Sequence, residues 1–278
     1  MPKTDARLAD LPPGAENPLN LAVTLRNDAV LINVDRALAA GEVLLAFQPV
    51  MQASAQRNVA FYEGLLRVLD ETGRVIPAAQ FMAAAEESEL GRKLDCMSLK
   101  LGLEVLREHP QLRLSINMSA RSVGYKRWIR ILEGFLLKDP TLGERLILEI
   151  TEESAMKVPD IVIGFMAELQ TTGVCFALDN YGAGLSAVRY FKDFYFDAVK
   201  IDGQFINGIH ADPDKQVVTG ALMSVANQFD MFTVASKVED AADAAYLADV
   251  GVDCLQGFLF GPPSVRRLWL PANRARSA

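Results

Sequence analysis

The stretch VCFALDNYGAGLSAVRYF, residues 174–191, decides how the chain is read. Val174 to Leu178 is a short apolar run without helical period, the length of one strand through a packed core. Asp179 and Asn180 end it, Gly182 and Gly184 permit the positive dihedrals of a tight turn, and an apolar pattern resumes from Leu185 to Phe191. A carboxylate at the C-terminal end of a buried strand is what a barrel or an open α/β sheet offers a ligand. Asx residues also start ordinary turns, so the flanking chain has to decide between a turn and a site.

Upstream, VLLAFQPV (43–50) and NVAFYEGLLRVL (58–69) are strand-like and separated only by the polar MQASAQR. Parallel neighbours need a connection of about a dozen residues or more, so these two strands pair antiparallel. From residue 70 onward the pattern alternates. Leu94, Met97, Leu101 and Val105 make a core-facing helical stripe within residues 78–107. LRLSINMS (112–119), RLILEITE (145–152), residues 174–179, AVKIDG (198–203), FTVASKVE (232–239) and DCLQGFLF (253–260) read as strands with helical segments between them. The expected fold is α/β, a (β/α)8 TIM-like barrel with its first strand antiparallel.

The barrel is expected over residues 26–265, with a helix over about residues 26–40. A mobile leader, residues 1–25, precedes it, and a basic tail, residues 266–278, carries Arg266, Arg267, Arg274 and Arg276. The net charge of −7 over 278 residues argues against a general nucleic-acid binder. Cys96, Cys175 and Cys254 are far apart and set in apolar surroundings, which suggests core thiols of a reduced cytoplasmic protein. There is no run of about 18 apolar residues to cross a membrane. His109 and His210, the only histidines, are expected in loops and build no triad.

Near the end of each strand one polar side chain interrupts the apolar run: Glu63, Asn117, Glu149, Asp179, Lys200, Glu239 and Gln256. Each alone is an ordinary strand-end residue. In a barrel all would converge on one mouth, where carboxylates repel unless a cation sits among them. Oxygen-only ligands suit Mg²⁺ or Mn²⁺.

With these residues in place, the chain resembles the EAL domain family, whose active members hydrolyse cyclic di-GMP to its linear dinucleotide. FQP (47–49), EGLLR (63–67), INMS (116–119), LEITE (148–152), LDNYGAG (178–184), VKID (199–202) and LQGFLFGPP (255–263) match its signatures in order. The resemblance implies that Glu63, Asn117, Glu149 and Asp179 hold a first divalent ion and that Lys200 orients the attacking water. It implies guanine or phosphate contacts for Gln48, Leu65 and Arg67, a site-floor role for Gln256, and a role for Glu239 in steadying the loop at 180–190. Cyclic di-GMP is the implied ligand, with a protein partner and a homodimer as further expectations.

The departures from the family cluster. Gly64 stands for alanine, Asn180 for the second of two aspartates, Ser236 for a glutamate assigned as general base or second-metal ligand, and Lys237 for a glycine. Pro262 replaces a basic residue, and Ala183 and Leu185 alter the loop. Loss of general-base assistance alone costs about 10²- to 10⁴-fold in rate. The expectation is therefore a catalytically degenerate domain that binds cyclic di-GMP or docks a protein, with a weakly active phosphodiesterase as the alternative. Lys237 is expected as a solvated loop lysine, with an ammonium entering the vacated second-metal position as the alternative.

Overall fold

The computed structural model describes residues 18–86, 88–184 and 190–270. Residues 1–17 of the expected leader, Leu185, and Arg274 and Arg276 of the expected tail lie outside the described residues.

Nine strands form one sheet: β1 (Val43–Gln52), β2 (Ala55–Leu69), β3 (Val75–Ile76), β4 (Leu114–Asn117), β5 (Leu146–Thr151), β6 (Cys175–Tyr181), β7 (Ala198–Ile201), β8 (Phe232–Ala235) and β9 (Cys254–Leu255). From β2 through β4 to β9, in that spatial order, neighbours run parallel. β1 runs antiparallel to β9, with Met51 opposite Leu255, and pairs with β2. That pairing closes eight strands into a barrel with a reversed first strand, as the short connection at residues 53–54 requires. β3 stands outside this circuit and pairs only with the end of β2, Val68 opposite Ile76.

The chain divides into two compact units. One takes in Met1–Val43 and Arg67–Gly91. Its helix α1 (Pro18–Ala40) begins earlier than the expected residue 26, with Pro18 where a fixed φ and a missing N–H suit a first turn. Val34, Ala37 and Leu38 are buried on it at helical spacing. It ends at Gly41, whose φ of 78° lets Glu42 N–H reach back to Ala37 O at 2.9 Å, a Schellman-type stop. A short helix, α2 (Met82–Glu86), touches α1.

The other unit, Leu44–Leu66 with Arg92–Ala278, holds the barrel core. Its helices are the greater part of α3 (Glu89–Glu108), then α4 (Lys126–Leu136), α5 (Glu152–Lys157), α6 (Pro159–Gln170), α7 (Gly203–Ile206), α8 (Pro213–Gln228) and α9 (Ala241–Asp249). On β5, Leu148, Glu149 and Ile150 are all buried, the signature of a parallel strand covered on both faces. Side chains alternate across a strand, so the helix-facing Leu148 and Ile150 leave Glu149 pointing the opposite way.

The sequence pattern carried the β5 strand through Glu152, but the structure turns Glu152 into the first residue of α5. The cause is local: Thr151 accepts from Ser154 N–H as an N-cap, and Glu152 and Glu153 place acidic charge in the first turn. Cys96 is buried, Cys175 and Cys254 are half-buried, and all three are free thiols. Among the described residues no helix is long and apolar enough to cross a membrane.

Candidate functional site

Parallel register sets the strand ends level, and this brings the polar side chains together. Glu63 sits opposite Ser115, Asn117 opposite Glu149, and Thr151 opposite Asp179. Lys200 Nζ donates to Glu149 Oε2 at 2.5 Å and to Glu63 Oε2 at 2.9 Å, and stands 3.8 Å from Asp179 Oδ1. Asn117 Nδ2 donates to Glu63 Oε1 at 2.7 Å. Gln256 Nε2 donates to Glu63 Oε2 at 2.6 Å and to Gln48 Oε1 at 3.3 Å, and Gln48 Nε2 donates to Gly261 O at 3.1 Å. Gln48, Glu63, Glu149, Lys200 and Gln256 are buried, whereas the Asp179 side chain keeps 20% of its surface in solvent.

Three carboxylates share one ammonium, and their protonation follows from that imbalance. Burial pushes the Glu149 carboxyl up to about 8; Glu63 and Asp179 add to the rise, and Lys200 only partly opposes it. Burial also pushes Glu63 up, but the Lys200 charge and the hydrogen bonds from Gln256, Lys200 and Asn117 outweigh it, leaving that carboxyl below its ordinary range. Burial pulls the Lys200 ammonium down, and Glu149, Glu63 and Asp179 more than reverse this, holding it well above the usual value. The buried trio is therefore a charged Lys200 beside an ionised Glu63, with Glu149 the acid pushed furthest toward its neutral form.

Packing is close at Gly64. A Cβ on Gly64 would lie 2.8 Å from Ile116 Cδ1, and one on Gly102 of α3 would meet the same atom at 2.8 Å. Ile116 thus fills a notch made by two glycines directly behind Glu63.

Of the residues expected to differ from the family, Asn180 lies near the end of β6, and Ser236 and Lys237 follow β8. Asn180 is exposed and holds φ at 56°, a left-handed conformation that Asn tolerates better than most side chains. Ser236 Oγ is buried without a hydrogen-bond partner. Lys237 is exposed at φ 60°, with its stem lying over Gly203, where a Cβ would come within 2.5 Å of Lys237 Cδ. The cation that reaches Glu63, Glu149 and Asp179 is Lys200, not Lys237. Leu65 and Arg67 are half-buried farther along β2, and Pro262 is exposed.

Glu239, expected to steady the loop after β6, is exposed. Glu152 holds the start of that loop: its Oε2 accepts from Gly182 N at 2.9 Å and Gly184 N at 3.3 Å, and the residue is 2% exposed. The sequence signal was the second acid of LEITE, set immediately after a strand and before a capped helix. Beside it, burial pushes the Tyr181 phenol up to about 12, with Glu152 adding to the effect, so this residue stays protonated.

A divalent cation wants several oxygen ligands. As the side chains stand, no three His, Cys, Asp or Glu residues among the described ones are arranged to hold a metal ion, because the acids close on Lys200 instead. Glu149 Oε1, however, is buried and unpartnered, on a wall whose other acceptors are also oxygens. The donor chemistry fits one hard cation at Glu63, Asn117, Glu149 and Asp179, and the neutral Asn180 and Ser236 supply no acid for a second.

The comparison with known proteins agrees with this geometry. The family model described as EAL domain matches residues 33–263. The signalling protein YkoW of Bacillus subtilis is 29% identical over 79% of this chain and 28% of its own length. MucR of Pseudomonas aeruginosa, a bifunctional diguanylate cyclase and cyclic di-GMP phosphodiesterase, is 28% identical over 84% of this chain and 35% of its own. The chain thus spans about a third or less of the curated relatives it matches. Among solved structures, the MucR phosphodiesterase in complex with c-di-GMP superposes with a TM-score of 0.74 at 27% identity, covering 85% of this chain and 97% of that one. The FimX EAL domain of Pseudomonas aeruginosa bound to c-di-GMP gives 0.78 at 26% identity, covering 85% and 96%. On the barrel, the convergent acids and the match over residues 33–263, the chain belongs to the EAL domain family.

Proposed function

We propose that this chain is a cyclic di-GMP-binding module whose hydrolytic site is degenerate, acting in second-messenger signalling through a protein partner. The observation that carries this reading is the pair of neutral side chains, Asn180 and Ser236, beside an otherwise complete acidic cluster. Neither an amide nor a hydroxyl can serve as a base near neutral pH, and neither holds a second ion well. The ligand side is better kept. Gln48 and Leu65 are assigned to the nucleotide, and the Arg67 guanidinium to a phosphate through paired donors. MucR and FimX domains of this family were solved with c-di-GMP, which supports the same ligand here.

One Mg²⁺ or Mn²⁺ fits Glu63, Asn117, Glu149 and Asp179, and when bound it supplies positive charge toward a ligand phosphate. Lys200 holds a proton between Glu63 and Glu149 and stands ready to orient a water, while Gln256 fixes Glu63 from the floor. Glu239, exposed on its loop, keeps no assigned part in the chemistry. The free thiols suit a cytoplasmic setting, and pairing of two copies is part of the proposal.

Titration calorimetry with cyclic di-GMP, in Mg²⁺ and in EDTA, tests the reading. We expect saturable binding, weakened about tenfold or more in Arg67→Ala, the loss of one charge-assisted contact. No binding in either buffer would remove the ligand. The intact first-ion set is what favours the second reading, a slow phosphodiesterase.

A further inference from the structure

We infer that residues 264–270 form a strap whose indole, Trp269, positions Gln48 and Glu63 from behind and so sets the affinity of the site for its ligand. This deepens the proposed cyclic di-GMP binding and rests on it. The family match ends at residue 263, so the strap lies outside what the chain shares with the family model.

The strap is fastened at its start and at its middle. Phe47 N donates to Ser264 O at 2.8 Å and Ser264 N to Phe47 O at 3.0 Å, so the strap begins as a bridge alongside β1. Farther on, Arg267 Nη1 donates to Glu108 Oε2 at 2.9 Å and contacts His109 Nε2 at 3.2 Å, at the end of α3. Two residues beyond Arg267, Trp269 meets three rings edge-on: Phe47 at 4.8 Å, Tyr62 at 5.0 Å and His109 at 5.5 Å between centroids.

Successive residues of a strand face opposite ways. Phe47 precedes Gln48 on β1, and Tyr62 precedes Glu63 on β2. The two rings that Trp269 grips are therefore on the reverse face of the two strand positions that carry Gln48 and Glu63. The Gln48 amide is also tied to Gly261 O, three residues before the strap begins. Packed interiors transmit displacement because they have little free volume, so a loosened indole shifts both strands and with them the glutamine and the carboxylate. Trp269 Nε1 is buried with no hydrogen-bond partner, so packing against the rings and the adjoining core holds the side chain. Trp269 acts here as a positioning residue.

The test compares Trp269→Ala, Trp269→Phe and Arg267→Ala with Leu132→Ala, a buried α4 residue remote in sequence from the site that serves as a control for destabilisation. All are measured at a temperature where circular dichroism shows them folded. Trp269→Ala should weaken cyclic di-GMP binding about fivefold or more and Arg267→Ala about twofold to threefold, while Trp269→Phe and Leu132→Ala stay within about twofold of wild type. Should Trp269→Ala fail to fold, Arg267→Ala carries the comparison. Unchanged affinity in the strap variants, or an equal loss in Leu132→Ala, overturns the inference. If the wild type binds no cyclic di-GMP, the proposed ligand is wrong, and amide exchange then judges the strap separately. Faster exchange at Phe47 and Tyr62 in Arg267→Ala, absent in Leu132→Ala, supports the positioning, and unchanged exchange contradicts it.

Discussion

Lys200 Nζ lies 2.5 Å from Glu149 Oε2 with neither side chain more than 3% exposed, so an ammonium and an acid meet where water cannot screen them. Glu63 completes the contact at 2.9 Å. Removing one partner of a buried ion pair costs about 3–5 kcal/mol, because the other charge is left behind. Lys200→Met should therefore lower stability by about that amount in EDTA, read by urea unfolding. Glu149→Gln should cost less, since burial already pushes the Glu149 carboxyl toward its neutral form, up to about 8. Equal losses in the two variants would contradict this assignment of the charges.

Glu152 anchors the turn after β6 through Gly182 and Gly184. A hydrogen bond to a charged acceptor contributes about 1.5–3 kcal/mol, so Glu152→Ala should free Gly182 and Gly184. The expected outcome is rapid amide exchange at both glycines in Glu152→Ala and near-native exchange in Glu239→Ala. The reverse pattern would return the anchor to Glu239.

The Asp243 carboxylate accepts from Gly208 N at 2.8 Å, from His210 N at 3.0 Å, and faces His210 Nδ1 at 2.7 Å. Burial pushes its carboxyl up, and these contacts more than reverse it, leaving the group below its ordinary range. For an acid held low by folding, the unfolded chain binds more protons in the acid range. The contribution is complete above the unfolded value, about 3.9, and is lost as pH falls through the folded one. Asp243→Asn should thus be destabilised relative to wild type at pH 7, with the gap narrowing below about pH 4. A gap that stays constant down to pH 3 would mean the charge contributes nothing.

Lys237 occupies φ 60°, where a side chain costs about 1–2 kcal/mol relative to the right-handed region. Lys237→Gly relieves that strain and gives back part of it through the freer unfolded chain. A rise in Tm of a few degrees is expected, with no change in the metal dependence of ligand binding, because Lys200 and not Lys237 reaches the acids. A lower Tm, or a new need for metal, would show that the ammonium acts inside the site.

The barrel was legible because period and spacing were strong: eight apolar runs, seven of them broken near the end by one of the polar residues named above, and a 51–57 connection too short for a crossover. The convergence of Glu63, Asn117, Glu149, Asp179, Lys200 and Gln256 followed from the same register. Side-chain partners were not legible. Glu152 and Glu239 are both acids just past a strand, and only the fold shows that one turns inward under Gly182 and Gly184 while the other faces solvent. The start of α1 at Pro18 was missed because its apolar residues crowd without a clear stripe. Trp269 was read as part of a solvated tail because its ring partners, Phe47, Tyr62 and His109, are far away in sequence.

The central claim, ligand binding without hydrolysis, is tested most directly by following cyclic di-GMP to its linear product by chromatography, with the protein in excess and Mg²⁺ or Mn²⁺ present. The account predicts bound, intact cyclic di-GMP with no linear product above background, and partial recovery of hydrolysis in the Asn180→Asp, Ser236→Glu double variant. Wild-type turnover on the order of 1 s⁻¹, within the ordinary range for enzymes, would contradict it.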